Sequence, residues 1–189
     1  MTAKAPRARK IVATTSLAGC FGCHMSLLDI DERILDLIEL VEFNKSPIDD
    51  IKTFTKECDI GLIEGGCCND ENVHVLTEFR RHCKTLVAFG ECALMGGLPA
   101  LRNFLPLKEC LEEAYLNGPT VAGENPGRII PHDPDIPKIL NRVYPCHEVV
   151  KIDYFLPGCP PSADLIWDAL VALVTGKELE PQYRTFKFD

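Results

Sequence analysis

No apolar stretch in this chain comes near the ~18 residues a membrane-spanning helix needs, so the sequence predicts no bilayer span. Nor does an apolar core follow the early basic residues Lys4, Arg7, Arg9 and Lys10, as a secretory leader would require, so a cytoplasmic location is expected. Positive charge is scarce: 20 lysines and arginines face 28 aspartates and glutamates, for a net charge of −8. The basic residues are scattered, so no stripe exists to displace counterions from a phosphate backbone, and nucleic acid is not an expected partner. The short basic run from Lys4 to Lys10 reads as a solvated arm at the chain entry. Internal repeats and low-complexity tracts are absent. A hydrophobic share of 46% against 25% charged residues predicts a packed domain rather than a disordered chain.

What the sequence has in excess is cysteine, ten in 189 residues. In a reducing cytoplasm these are not expected to form disulfides. Buried thiols account for some of them, but the surplus points to metal.

Apolar runs at Lys10–Thr15, Asp59–Glu64, Thr85–Phe89 and Val149–Leu156 predict strands. Helices are expected from about His24 to Ile30, over Asp31–Glu42, over Asn69–His82 with Asn69 or Asp70 as cap, over Leu107–Tyr115, and over Asp164–Val174 with Pro161 in its first turn and Gly176 as its stop. Leu40–Phe43 reads alternatively as a strand. Pro119–Pro145, rich in proline, glycine and aspartate, reads as an extended excursion. Strands alternating with helices predict an α/β fold, a flavodoxin-like doubly wound parallel sheet. It forms a single domain over residues 10–176, with an N-terminal arm at 1–9 and a short C-terminal tail at 177–189.

Ligands of open α/β sheets sit beyond the carboxyl ends of the strands, and cysteines fall at those ends. Cys20 and Cys23 follow the first strand, Cys67 and Cys68 the strand ending at Glu64, Cys92 the strand ending at Phe89, and Cys159 the strand ending at Leu156. Cys20 and Cys23 form a C-x-x-C pair, a spacing shared by redox dithiols, zinc sites and clusters. No second C-x-x-C follows to complete a zinc ribbon, and a redox dithiol leaves Cys92 and Cys159 unexplained. Glycine before Cys92 and before Cys159 permits close backbone approach, and Pro160 and Pro161 stiffen the last loop.

The segment Thr14-Thr15-Ser16-Leu17-Ala18-Gly19-Cys20-Phe21-Gly22-Cys23-His24-Met25-Ser26 resembles the first cluster loop of [NiFe]-hydrogenase small subunits. Ile63-Glu64-Gly65, Gly90-Glu91-Cys92-Ala93 with Gly96-Gly97, and Leu156-Pro157-Gly158-Cys159-Pro160-Pro161 resemble their later motifs, in order, from about Lys10 to Trp167. The resemblance implies that Cys20, Cys23, Cys92 and Cys159 bind one [4Fe–4S] cluster near a Ni–Fe centre carried by a separate large subunit. After Cys159 the chain has no further cysteine, whereas ordinary members of that family carry more clusters. The short form resembles the small subunits of soluble NAD-reducing hydrogenases, whose other partner is a flavin/iron–sulfur diaphorase. The expected function is therefore electron relay within a hydrogen:NAD+ oxidoreductase complex, the chain alone not being catalytic.

Other residues have plainer readings. Cys67 and Cys68 are the rival ligand pair, with a supporting or structural role expected. The related quinone-reductase cluster subunit has adjacent cysteines, but after its first strand. Glu64 reads as a strand-end hydrogen-bond acceptor beside the site, with proton relay to the large subunit as a second possibility. His24 is expected to make a helix-start or interface hydrogen bond. Cys58, Cys83, Cys110 and Cys146 show no partner spacing and read as buried thiols, His132–Asp135 as a solvated turn, and Trp167 as a core or interface anchor. The rival functions are an FMN-binding flavodoxin-like carrier, although FMN itself is not expected, a quinone-reductase-type cluster subunit, and a zinc-stabilised structural module.

Overall fold

The computed structural model describes residues 9–121 and 129–177. Lys10–Ser16 forms β1, whose Val12 and Ala13 are buried on opposite faces. A loop leads to α1 (Gly22–Leu28), a 3-10 turn (Asp31–Arg33) and α2 (Ile34–Leu40), which passes directly into β2 (Val41–Phe43). The helix expected over Asp31–Glu42 therefore stops early, because Val41 to Phe43 pair with Lys10 to Val12. β3 (Cys58–Glu64) is buried at nearly every position. After the short β4 (Cys67–Asn69) comes α3 (Asp70–His82), whose N-terminus is capped by the Asn69 side chain accepting from Asn72 N at 2.8 Å. Asp70 and Glu71 in its first turn and Arg80, Arg81 and His82 in its last complement the helix dipole.

β5 (Cys83–Phe89) follows without a loop, then α4 (Glu91–Met95), a 3-10 segment (Leu98–Phe104) and α5 (Leu107–Glu112), which continues as a π turn to Asn117. β6 (Ile139–Tyr144) pairs antiparallel with β4, Cys67 opposite Tyr144 and Asn69 opposite Ile139. The stretch expected to be an extended excursion thus contains a strand near its end. Its alternation is weak because only Val143 is fully buried. β7 (Tyr154–Leu156) is shorter than the eight residues expected. Upstream of it, Asp153 closes the edge through its side chain, accepting from Leu86 N at 2.9 Å. α6 (Ala163–Thr175) is capped by Ser162, which accepts from Leu165 N, and ends at Gly176 in the left-handed region. Pro161 sits just before the cap, where its carbonyl accepts from Ser26 Oγ of α1 at 2.6 Å.

β2, β1, β3, β5 and β7 form one parallel sheet in that spatial order. Counted within the sheet this is 2-1-3-4-5, the flavodoxin order, and it reverses between β1 and β3. Side-chain alternation builds two cores. Val12, Leu62, Val87 and Phe89 face α1, α2 and α6, while Ala13, Ile63, Leu86 and Ala88 face α3. Each fully buried leucine or isoleucine contributes roughly 1.5–3 kcal/mol. No helix among the described residues is long and apolar enough to cross a membrane. Of the basic arm, Arg9 donates to Ile38 O and Lys10 lies 3.8 Å from Asp59. Residues 1–8 and the tail from 178 lie outside the described residues.

Candidate functional site

Ser16 pairs with Glu64, Ile63 with Ala88, and Phe89 with Leu156, so four strand ends lie along one edge of the sheet. The loops that leave this edge carry Cys20, Cys23, Cys92 and Cys159. The loop after β1 is tied to the loop after β3 by paired bonds between Ala18 and Gly66, each 2.9 Å. Phe21 then adopts a left-handed conformation (φ 67°), and α1 starts with no capping side chain of its own.

Glu64 supplies the cap from across the sheet. One carboxylate oxygen accepts from Cys23 N at 3.2 Å, and the other accepts from His24 N at 3.1 Å and from His24 Nδ1. Both side chains are buried. The His24 ring stacks on Phe21 at 4.6 Å and meets Phe89 edge-on at 5.3 Å, while its Nε2 has no hydrogen-bond partner. Glu64 is thus the strand-end acceptor and His24 the helix-start donor that the sequence suggested, each serving the other.

Glycines let the loops close on each other. Gly90 has φ +87°, and a Cβ there would lie 2.2 Å from Cys23 Sγ, so this residue must lack a side chain for the first loop to meet the β5 loop. Gly97, with φ +50°, would place a Cβ 2.8 Å from Cys92 Sγ. Beyond the strands, Gly90 N donates to Leu156 O at 2.9 Å and Glu91 N to Gly158 O at 3.0 Å, which fastens the Cys92 and Cys159 loops together.

The thiols feel one another. Burial pushes the Cys23 thiol up strongly, followed by the negative charges of Glu64, Cys92, Cys20 and Cys159. Burial also raises Cys92, with Cys159, Cys20 and Glu64 adding to it, while the Leu98 backbone N–H opposes the shift. Gly22 N donates to Cys20 Sγ at 3.4 Å. Backbone N–H groups therefore already point at two of the four sulfurs. Cys20 and Cys159 are exposed, Cys92 is half-buried and Cys23 buried, so the group opens at the surface.

The donor set suits one kind of metal group and not another. Among the described residues, no three His, Cys, Asp or Glu side chains converge closely enough to hold a single ion. A four-iron cluster asks for a different arrangement, one thiolate for each iron, spread around it and hydrogen-bonded by backbone N–H groups. Four cysteines brought to one edge of the sheet, with glycines clearing space beside Cys23 and Cys92, fit that demand. The raised Cys23 and Cys92 thiols, each pushed up chiefly by burial and further by the charges around it, also suit a strong cation, which removes that penalty by binding them as thiolates.

The remaining cysteines lie elsewhere, and the structure adds partners that their spacing hides. Cys58 stands opposite Cys83 on neighbouring strands, and Cys58 Sγ donates to Lys56 O at 3.6 Å. Cys67 and Cys146 are two free, fully buried thiols that influence each other's titration, and Cys146 Sγ donates to Gly65 O at 3.3 Å. Burial raises the Cys68 thiol, although it lies near the Arg102 charge. Cys110 is on α5 and half-buried. His132 to Asp135 form an exposed turn closed by Asp135 N on Asp133 Oδ1. Trp167 packs partly against the core under the Arg33 guanidinium, 5.4 Å from its ring centre.

Comparison with known proteins adds the family. Residues 20–173 match the model of the NADH ubiquinone oxidoreductase, 20 kDa subunit. The chain is 49% identical over 171 residues to the delta subunit of the NAD-reducing hydrogenase HoxS of Cupriavidus necator, covering 89% of this chain and 80% of that one. It is 35% identical to the iron-sulfur subunit of the F420-non-reducing hydrogenase of Archaeoglobus profundus, over 85% of this chain and only 54% of that longer one. A crystal structure of an NAD+-reducing [NiFe]-hydrogenase in the H2-reduced state contains a chain that superposes with a TM-score of 0.90 at 50% identity, covering 96% of this chain and 99% of that chain. The chain thus belongs to the NADH ubiquinone oxidoreductase 20 kDa subunit family, among the small subunits of NAD-reducing [NiFe]-hydrogenases.

Proposed function

We propose that this chain is the electron-relaying small subunit of a cytoplasmic NAD-reducing [NiFe]-hydrogenase and that Cys20, Cys23, Cys92 and Cys159 hold one [4Fe–4S] cluster. The observation that carries the reading is the meeting of these four thiols, from three loops, on one edge of the sheet. The bound cluster supplies one-electron transfer between a Ni–Fe centre in the large subunit and a flavin/iron–sulfur diaphorase. The chain's own residues set the terms of that transfer. Gly22 N donates to Cys20 Sγ, the Leu98 N–H lies close enough to Cys92 to favour its ionised form, and the buried Glu64 carboxyl stands beside Cys23, all of which tune a cluster's potential.

The FMN reading is disfavoured by Glu64. A flavin phosphate would need the free N–H groups at the start of α1, and the buried carboxylate already takes those of Cys23 and His24. The large subunit has a surface to meet beside Cys92. The segment after α4 turns its polar side chains inward, Arg102 to Leu140 O at 2.7 Å and Asn103 to Val143 O at 2.9 Å. Its apolar residues Leu98, Leu101, Phe104 and Leu105 are left exposed, Phe104 at 85%. That inversion suits a chain that is incomplete alone.

Iron and acid-labile sulfide in the anaerobically purified complex, corrected for the partners' content, are the test. About four of each per chain are expected, and Cys159→Ser is expected to lose or convert the cluster and uncouple hydrogen oxidation from NAD+ reduction. Zinc without sulfide would leave only a structural module.

A further inference from the structure

We propose that Glu91 is a positioning residue: its carboxylate clasps the Cys159 loop to the Cys92 loop and so holds two of the four thiols at a fixed separation. The proposal rests on the cluster reading above and adds a residue to it. Past the end of the β5–β7 pairing, two backbone bonds continue the ladder, Gly90 N to Leu156 O and Glu91 N to Gly158 O. The next rung comes from a side chain, since Gly158 N donates to Glu91 Oε1 at 3.2 Å, across 67 residues of sequence. Glu91 thus grips Gly158 from both sides, giving its own N–H to the carbonyl and taking the amide N–H with its carboxylate. The gripped residue immediately precedes Cys159, and the gripping residue immediately precedes Cys92.

Gly158 needs such a hold. Its φ of +135° is open only to glycine, and a Cβ there would lie 2.6 Å from Pro161 Cα. A glycine has the widest conformational freedom in the chain, so two hydrogen bonds to one neighbour replace the restraint that a side chain would give. Glu64 acts in the same manner on the first loop, accepting from Cys23 N and His24 N. Two of the three cysteine loops are therefore held by a carboxylate at or just past the end of a neighbouring strand. No cation lies within ion-pair distance of Glu91 among the described residues, so an ion pair does not account for it. The competing account is that an acid in the first turn of α4 merely complements the helix dipole.

Two variants of the intact complex separate these accounts. Glu91→Gln keeps the reach and an acceptor oxygen but drops the charge, and Glu91→Asp keeps the charge in the first turn but falls one methylene short of Gly158. The readouts are the rate of iron release to a chelator and the electron paramagnetic resonance spectrum of the reduced cluster. Release roughly tenfold faster in Glu91→Asp, with an altered spectrum, is expected, the change that loss of one hydrogen bond to a charged acceptor produces. Glu91→Gln should stay within about threefold of the parent, with the parent's spectrum, because an amide oxygen still accepts. The reverse order, or identity of both variants with the parent, overturns the clasp. A parent complex without iron and sulfide would instead overturn the cluster reading and the clasp with it.

Discussion

Three donors converge on Glu64, which is 2% exposed: the amides of Cys23 and His24 and the His24 ring. Removing a buried carboxylate strands all three, and breaking such a pair costs about 3 kcal/mol. Glu64→Ala is expected to lower the unfolding free energy by about that amount in urea titration, and Glu64→Gln, which keeps an acceptor oxygen, by about 1 kcal/mol. An unchanged midpoint in Glu64→Ala would contradict the capping role. At Gly90 the constraint is space rather than charge. Gly90→Ala puts a carbon 2.2 Å from Cys23 Sγ at φ +87°, with roughly 1–2 kcal/mol of left-handed strain in addition. The variant should fold with an unchanged far-ultraviolet spectrum but purify with little iron, and normal iron content would sink the idea that this loop is cleared for sulfur.

Elements were readable in the sequence where burial was two-sided. β1, β3 and β5 are central strands, so their apolar runs are continuous and their ends fell within about two residues of expectation. β7 was readable as a strand but not in its length, three residues instead of eight, because an edge strand buries little, and the β4–β6 ribbon was missed because its register depends on residues some 70 positions apart. The same distinction holds in the site. The cysteines announced themselves by motif, whereas the Glu91–Gly158 bond spans 67 residues and has no sequence signature. The Cys58–Cys83 and Cys67–Cys146 contacts exist only once strand register is known. β7 owes its anchorage to Asp153, which accepts from Leu86 N and bonds Arg80 of α3 at 2.7 Å. Burial pushes the Asp153 carboxyl up, but the Arg80 and Leu86 bonds outweigh it and hold it below the ordinary 3.8. A depressed carboxyl stabilises the fold above its unfolded pKa, so this contribution is complete above about pH 4 and is lost as pH falls through the folded value. Asp153→Asn should cost about 2 kcal/mol at neutral pH and show a shallower loss of stability below pH 4 (unfolding at stepped pH). Parallel parent and variant curves would refute it.

For the molecule as a whole, the sheet has a working end and a quiet end. All four site thiols leave the carboxyl ends of strands, whereas the opposite end carries the Cys58–Cys83 pair and an ion cluster of Asp59 with Lys10 and Lys84. The working end also bears the outward apolar segment Leu98–Leu105, with Leu98 exposed at 74%. Leu101→Asp with Phe104→Asp should leave the isolated chain folded but weaken its capture of the large subunit by about 2 kcal/mol or more, measured by titration calorimetry. Unaltered affinity would move the interface elsewhere. The position of Cys159 has a consequence for cluster binding. The fourth thiol rides behind β7, an edge strand joined to β5 through only three residue pairs, Val87 with Tyr154 to Phe89 with Leu156. Cys20, Cys23 and Cys92 all precede that strand in the chain and Cys159 follows it. For the proposed cluster, a full set of four thiols therefore depends on β7 docking against β5.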